Sequence, residues 1–229
     1  MYAIKIGFWS ALLSALAFVV FTVCFVGVVI TSPLFEWTNL ADYLVYVAEN
    51  GQFLQTVARI CSLAFALLFV ILLNAIHEIT VADKKVLTRT ALSLGIGFAV
   101  LAGLFYFVQI TAVRWSIQLG QTIGLEQVIQ ANPLSAVAAM NMLGWTLFLG
   151  LASLFLVPVF ADGRLQKTIR IAFLLNAIFC LLGGISYFMQ WIALLFLTIN
   201  LGIGGAVTVA MVGLTVHFRR MMLLGETSH

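Results

Sequence analysis

Charge is what this chain has least of. Only 8% of its 229 residues are Asp, Glu, Lys or Arg, while 63% are hydrophobic. A soluble domain carries roughly 25% charged residues. Burial is limited by surface-to-volume scaling, so a compact water-soluble fold of this length could not hide so much apolar surface. Lipid is the remaining solvent.

Other absences narrow the function. No long apolar run contains Asp or Glu, whereas proton- and sodium-coupled carriers usually place an ionisable carboxylate in a span. There is no GxSxG, P-loop, selectivity-filter or haem-attachment string. His77-Glu78 does not continue into HExxH, because position 81 is Val. Catalysis by paired acids or a dyad inside the bilayer is therefore disfavoured, and nothing points to a catalytic residue, a cofactor or a metal. His77 and His217 read as interfacial side chains near helix ends. Basic residues sit in short clusters, without the face or stripe that nucleic-acid binding needs. Cysteine is scarce: Cys24, Cys61 and Cys180 lie within apolar runs without a CxxC partner, and read as small buried hydrophobes.

What is there is long apolar stretches. They predict an all-α, polytopic membrane helix bundle forming one transmembrane domain over 1–229, with spans at about 6–30, 55–76, 91–113, 133–158, 171–188 and 192–218. The first run is too long for a signal-peptide core of about 7–15 residues and reads as a retained span. Pro33 ends it, and Asn132-Pro133 reads as the cap and first residue of the fourth span. Between Arg170 and Arg219 lie 48 residues without a charged side chain. One helix of that length would measure about 72 Å, against a hydrocarbon core of about 30 Å. The stretch must therefore cross twice, reversing near Tyr187–Trp191.

Basic residues predict orientation. One side holds Lys5, Lys84, Lys85, Arg89, Arg164, Lys167, Arg170, Arg219 and Arg220, and the other only Arg59 and Arg114. Lysine and arginine excess marks the cytoplasmic side, so a multi-pass protein of the plasma (cell inner) membrane with both termini cytoplasmic is expected. Two external segments look amphipathic. Asn39 can cap a helix with Leu40, Tyr43, Leu44 and Val47 on one face. The segment 122–130 offers Leu125, Val128 and Ile129 but is interrupted by glycine.

Two features bear on function. Small residues recur at helical spacing: Gly95, Ala99 and Gly103, then Gly202, Gly205, Ala206 and Ala210. Such stripes let helix backbones approach, and leucine at Gly95, Gly103, Gly202 or Gly205 should overpack a contact. The second feature is a polar group near the outer ends of spans 2 and 3, namely Gln55, Arg59, Gln109 and Arg114. The two arginines either snorkel to headgroups and pair with Asp42, Glu49 or Glu126, or line an outward-facing pocket for an anionic group. Asn141 and Asn200 are the in-span amides best placed to join such a pocket. The expected ligand-binding set is thus Gln55, Arg59, Gln109, Arg114, Asn141 and Asn200. Two functions follow: binding or moving a small anionic or zwitterionic amphiphile or lipid, or serving as a non-catalytic assembly subunit. The corresponding partners are membrane lipid, a small amphiphilic ligand, and a second copy or another membrane protein.

Overall fold

A computed structural model describes residues 2–33 and 35–226. Six helices are long and apolar enough to cross a membrane: α1 (Tyr2–Thr31), α3 (Phe53–Ile79), α4 (Ala82–Gln118), α5 (Ala136–Val159), α6 (Gly163–Phe188) and α7 (Ile192–Leu224). A short helix, α2 (Leu40–Glu49), lies between the first two. The chain is an all-α multispan bundle, with no strand among the described residues.

Each spanning helix packs against the next in sequence, and α7 closes the ring against α1. Both termini are at one end, since the ring of Phe218 on α7 lies directly against Gly7 on α1. The opposite end is called distal below. An aromatic cluster fills the middle of the ring. Phe18 of α1 meets Phe65 of α3 edge-on at 4.6 Å, and Trp145 of α5 meets Phe98 of α4 edge-on at 5.0 Å. Trp145 also stacks on Phe65 at 6.0 Å. Toward the termini the interior is solid, with Phe69, Leu72, Ile76, Leu156, Phe173 and Phe218 almost fully buried.

Lipid supplies no hydrophobic drive between helices, so close packing must hold them together. Gly150 allows α5 to meet α6: an added Cβ would lie 2.8 Å from the Cβ of Cys180. Gly95 and Gly202 are also tight, against Leu73 and Phe179. The other two glycines expected to be tight are not. A Cβ at Gly103 would sit an ordinary 3.7 Å from Leu63, and at Gly205 it would meet nothing within 4 Å. Gly205 lies with Gly202 on an outer groove between α6 and α7, but only Gly202 meets a side chain there.

A polar group in hydrocarbon must find a partner. Most hydroxyls in the spans bond back to the carbonyl one turn earlier, as Ser62 does to Ala58 at 3.0 Å and Ser186 to Leu182 at 2.7 Å. A few cross between helices, including Asn176 Nδ2 to Ser153 Oγ at 2.7 Å.

The boundaries have local causes. The fourth span starts at Ala136, not at Pro133, because Ser135 is its cap and accepts from the Ala138 amide at 3.1 Å. Asn132 instead folds the preceding loop, accepting from Leu134 N at 2.9 Å and donating to the Glu126 carbonyl at 2.8 Å. Pro158 sits in the final 3-10 turn of α5. Gln190, with φ of 58°, makes the tight reversal between α6 and α7. Asn39 caps α2 through the Asp42 amide at 3.0 Å. Tyr43 is buried on its inner face, while Asp42 and Glu49 are exposed. The segment 122–130 is not a helix, holding only a 3-10 turn at Leu125–Gln127. Gly120 and Gly124 adopt φ of 67° and 76°, which stops helical propagation. Its apolar residues still turn inward, with Leu125 and Ile129 packed against Tyr43 and Val113.

Candidate functional site

The distal half of the ring is hollow. A cavity of about 470 Å³ lies above the aromatic cluster, with Phe18 and Trp145 in its floor. Its walls come from α1, α3, α4, α5 and α7, with Tyr187 contributed by the end of α6. Phe35, Tyr43 and Tyr46 cover it from the α2 side, and Gln130, Ala131 and Pro133 from the loop before α5. Burial pushes the Tyr46 phenol upward from its ordinary range, with the neighbouring Tyr43 adding to the shift. Tyr46 therefore remains an uncharged donor at neutral pH.

The lining is mostly aromatic and aliphatic, with a few polar groups. Four of the six residues expected from sequence meet here: Gln55, Arg59, Asn141 and Asn200. Arg59 donates from Nε to Gln130 Oε1 at 2.9 Å and from Nη2 to Gln55 Oε1 at 3.4 Å. Both partners are neutral amides, and among the described residues no carboxylate pairs with it. Asp42, one of the three acids expected as a partner, is occupied in the α2 cap, accepting from Thr38 at 2.7 Å and Asn39 at 2.8 Å.

The other two expected residues do not line the cavity. Gln109 is 1% exposed. Its Nε2 donates to the Val128 carbonyl, and its Oε1 accepts from the Gln130 amide at 3.0 Å. It pins the loop that presents Gln130 to Arg59. Arg114 is exposed beyond the cavity, on the far end of α4. One turn of helix separates Arg114 from Gln109 in sequence, but the inward face at that level is taken by Val113, which is 2% exposed.

A polar cluster not anticipated from sequence lies inside the cavity. Trp145 Nε1 donates to the Tyr106 hydroxyl at 3.1 Å. Ser62 and Asn141 flank the same hydroxyl, which lies within electrostatic reach of Arg59. Trp145 and Tyr106 sit in mid-span, and an indole N–H or phenol there demands a partner. That demand was a usable signal for a buried polar cluster.

Two backbone features shape the walls. Three spans contain a π-helical turn: Gln109–Val113 in α4, Gly144–Phe148 in α5 and Thr198–Ile203 in α7. The second carries Trp145, and the third carries Ile199 and Asn200. In addition, α1 and α7 pack closely only in their termini-side halves. The distal stretch of α7, from Ile192 to Ile203, makes almost no backbone approach to α1. The ring pair Phe25–Phe196, with centroids 6.0 Å apart, bridges the gap. The cavity is thus walled by two aromatic side chains where the rest of the ring is walled by helix.

Fold and cavity together describe a six-span helical membrane protein with a partly polar internal cavity at one end. Compared with known proteins, the chain matches no family model, no curated protein and no solved structure. Among the described residues no three His, Cys, Asp or Glu side chains converge as a metal site would require.

Proposed function

We propose that the protein binds, and exchanges with the surrounding leaflet, a small anionic or zwitterionic amphiphile held in the distal cavity. The observation that carries this is Arg59. It lies on the wall of an apolar-lined cavity, and its hydrogen-bond partners among the described residues are the amides of Gln130 and Gln55. An arginine in such surroundings is unfavourable without compensation, and a bound phosphate or carboxylate matches its donor fork. The aromatic walls suit an alkyl tail. The sparse contact between α1 and α7 offers a lateral route from the lipid, with Phe25 and Phe196 as its doors. We place the distal end outside and both termini in the cytoplasm of the cell's inner membrane, on the basic asymmetry of the loops.

The test compares dodecyl phosphate with dodecanol, titrated into protein reconstituted in nanodiscs and read by native mass spectrometry. Wild type should favour the phosphate at least tenfold, and Arg59→Gln should lose that preference. An unchanged preference in the variant would remove Arg59 from the site. A second reading, a non-catalytic assembly subunit, is favoured by the apolar outer groove of about 280 Å³ that exposes Gly205 between α6 and α7. A stable oligomer broken by Gly205→Leu, in a protein that retains no lipid, would favour it.

A further inference from the structure

We propose that the outer groove between α6 and α7 holds one anionic glycerophospholipid from the leaflet at the termini end. An acyl chain lies in the groove, and the phosphodiester sits between Arg164 and Arg220. This site is separate from the distal cavity and does not rest on the reading of that cavity.

The groove, of about 280 Å³, is lined by Thr168, Leu175 and Phe179 of α6 and by Gly205 and Val209 of α7. Leu175 and Val209 are exposed, and a Cβ added at Gly205 would meet nothing within 4 Å. From Thr168 to Phe179 the helix rises about 17 Å at 1.5 Å per residue. That is close to the depth of one leaflet, half of a hydrocarbon core of about 30 Å.

Charge at the open end identifies what fits. Gly202 lies against Phe179 and Gly213 against Ile169, which fixes the antiparallel register of the two helices. Carried toward the termini, that register sets Arg164 of α6 level with Phe218 of α7, and Arg219 and Arg220 follow directly. Arg164 is one turn before Thr168, whose hydroxyl donates to the Arg164 carbonyl at 3.2 Å. On α7, Val209, Val216 and Arg220 recur on one face. Arg164 and Arg220 therefore continue the two walls of the groove into the interface. Both are exposed, as are Lys167 and Arg219 beside them. Among the described residues no carboxylate pairs with any of the four. Asp162, at the start of α6, is exposed and makes no side-chain cap bond. The four cations outnumber it, and the uncapped first amides of α6 are further donors for an anion. Basic pockets between spans on the cytoplasmic side hold anionic headgroups, and guanidinium suits phosphate oxygens.

A second copy of the chain fits the groove less well. Two copies in one membrane share their orientation, so a two-fold contact through this groove brings each Arg164 and Arg220 level with those of the other copy. Like charges so placed oppose association, whereas a phosphate between them favours it.

The test titrates phosphatidylglycerol and phosphatidylcholine of the same acyl chains into detergent-solubilised protein, read by native mass spectrometry. Each basic side chain near an anionic lipid contributes about fivefold, so wild type should retain one phosphatidylglycerol per chain with about 25-fold preference. Arg164→Gln combined with Arg220→Gln should remove most of that preference. Gly205→Leu fills the groove and leaves every charge in place; it should melt as wild type and lose the lipid. Equal affinity of wild type for the two lipids overturns the proposal without any variant. A phosphatidylglycerol still held by a folded Gly205→Leu protein overturns it too, because the headgroup is then bound outside the groove. If Arg59→Gln, at the opposite end, removes the lipid, the lipid lies in the distal cavity and the groove is not its site. A dimer that excludes lipid and dissociates in Gly205→Leu makes the occupant a second copy and overturns the lipid. None of these failures bears on whether the distal cavity binds an amphiphile.

Discussion

Replacing Gln109 by leucine should loosen the cover of the cavity without touching its walls. The side chain is 1% exposed and sits in the π turn of α4. It makes two hydrogen bonds to the backbone of one loop: to the Val128 carbonyl and from the Gln130 amide. Leucine nearly preserves the volume and removes both. Each bond is worth about 1 kcal/mol net. Gln130 is exposed, so its amide recovers water, but Val128 is only half-exposed and its carbonyl is left poorly solvated. The sum is about 2–3 kcal/mol. For a chain of 150–250 residues, 1 kcal/mol corresponds to about 2–4 °C in Tm, so the variant should melt roughly 5–10 °C lower. Local effects should exceed the global one. The Gln130 side chain should leave Arg59, and backbone amides near 126–132 should exchange faster by hydrogen–deuterium mass spectrometry. Gln109→Glu keeps the acceptor for Gln130 but sets an oxygen against the Val128 carbonyl, and should fall between the two. If Gln109→Leu melts with wild type and the loop exchanges at its wild-type rate, the loop is held by something else.

Four further outcomes follow. Gly150→Leu should destabilise by about 1–3 kcal/mol through overpacking against Cys180, while Gly205→Ala, facing open space, should melt as wild type. Tyr106→Phe strands the Trp145 N–H, and about 1–3 kcal/mol should be lost; a neutral result would mean that the indole is wetted. Joining Phe25→Cys to Phe196→Cys with a short bifunctional thiol reagent, with the three native cysteines replaced by alanine, should slow release of a bound amphiphile. Release at the same rate after complete crosslinking would put the route elsewhere. Finally, a cysteine at Tyr46 should label from outside and one at Lys84 from the cytoplasm, and the reverse pattern would invert the orientation.

How much of this was legible in the sequence depended on the range of the interactions. The spans were readable because transfer of some twenty apolar residues into lipid outweighs every local preference. Asn39 was readable as a cap because its bond to the Asp42 amide is local. At Pro133 a local signal misled: proline suits the first helical position, but Ser135, two residues later, holds the bond that starts the helix. Arg59 and Gln55 could be placed together because they are one turn apart on one helix. Arg114 and Gln109 could not be sorted by the same logic. Which of them turns inward depends on the π turn between residues 109 and 113, and an inserted residue in a helix leaves no compositional mark. The partner of Arg59 that lies 71 positions away, Gln130, was invisible for a different reason. Its loop is positioned by Gln109, a contact between segments that nothing in either segment announces.

The three π turns connect these observations to function. Such turns are rare and tend to survive where a site needs them. Here they occur in α4, α5 and α7, and none occurs in α1, α3 or α6. The one in α4 buries Gln109 and so anchors the cover. The one in α5 brings Trp145 to the cavity floor and its N–H to Tyr106. The one in α7, Thr198–Ile203, ends just where that helix changes from sparse to close packing against α1. The turns in α5 and α7 therefore mark a change between the solid and the hollow half of the ring, and the turn in α4 holds the cover over the hollow. Helices with a continuous α register would tend to carry their close-packed faces along their full length and fill the distal half as they fill the other. On this view the hollow is a consequence of backbone geometry, with side-chain size secondary. Enlarging a wall residue should fill the cavity and leave the π turns in place. Deleting one residue from the turn in α7, for instance Leu201, which is 69% exposed, should restore α register and draw α7 toward α1. The readout is loss of amphiphile binding in a protein that still melts cooperatively. Retention of full affinity after the deletion would show that the cavity does not depend on that turn.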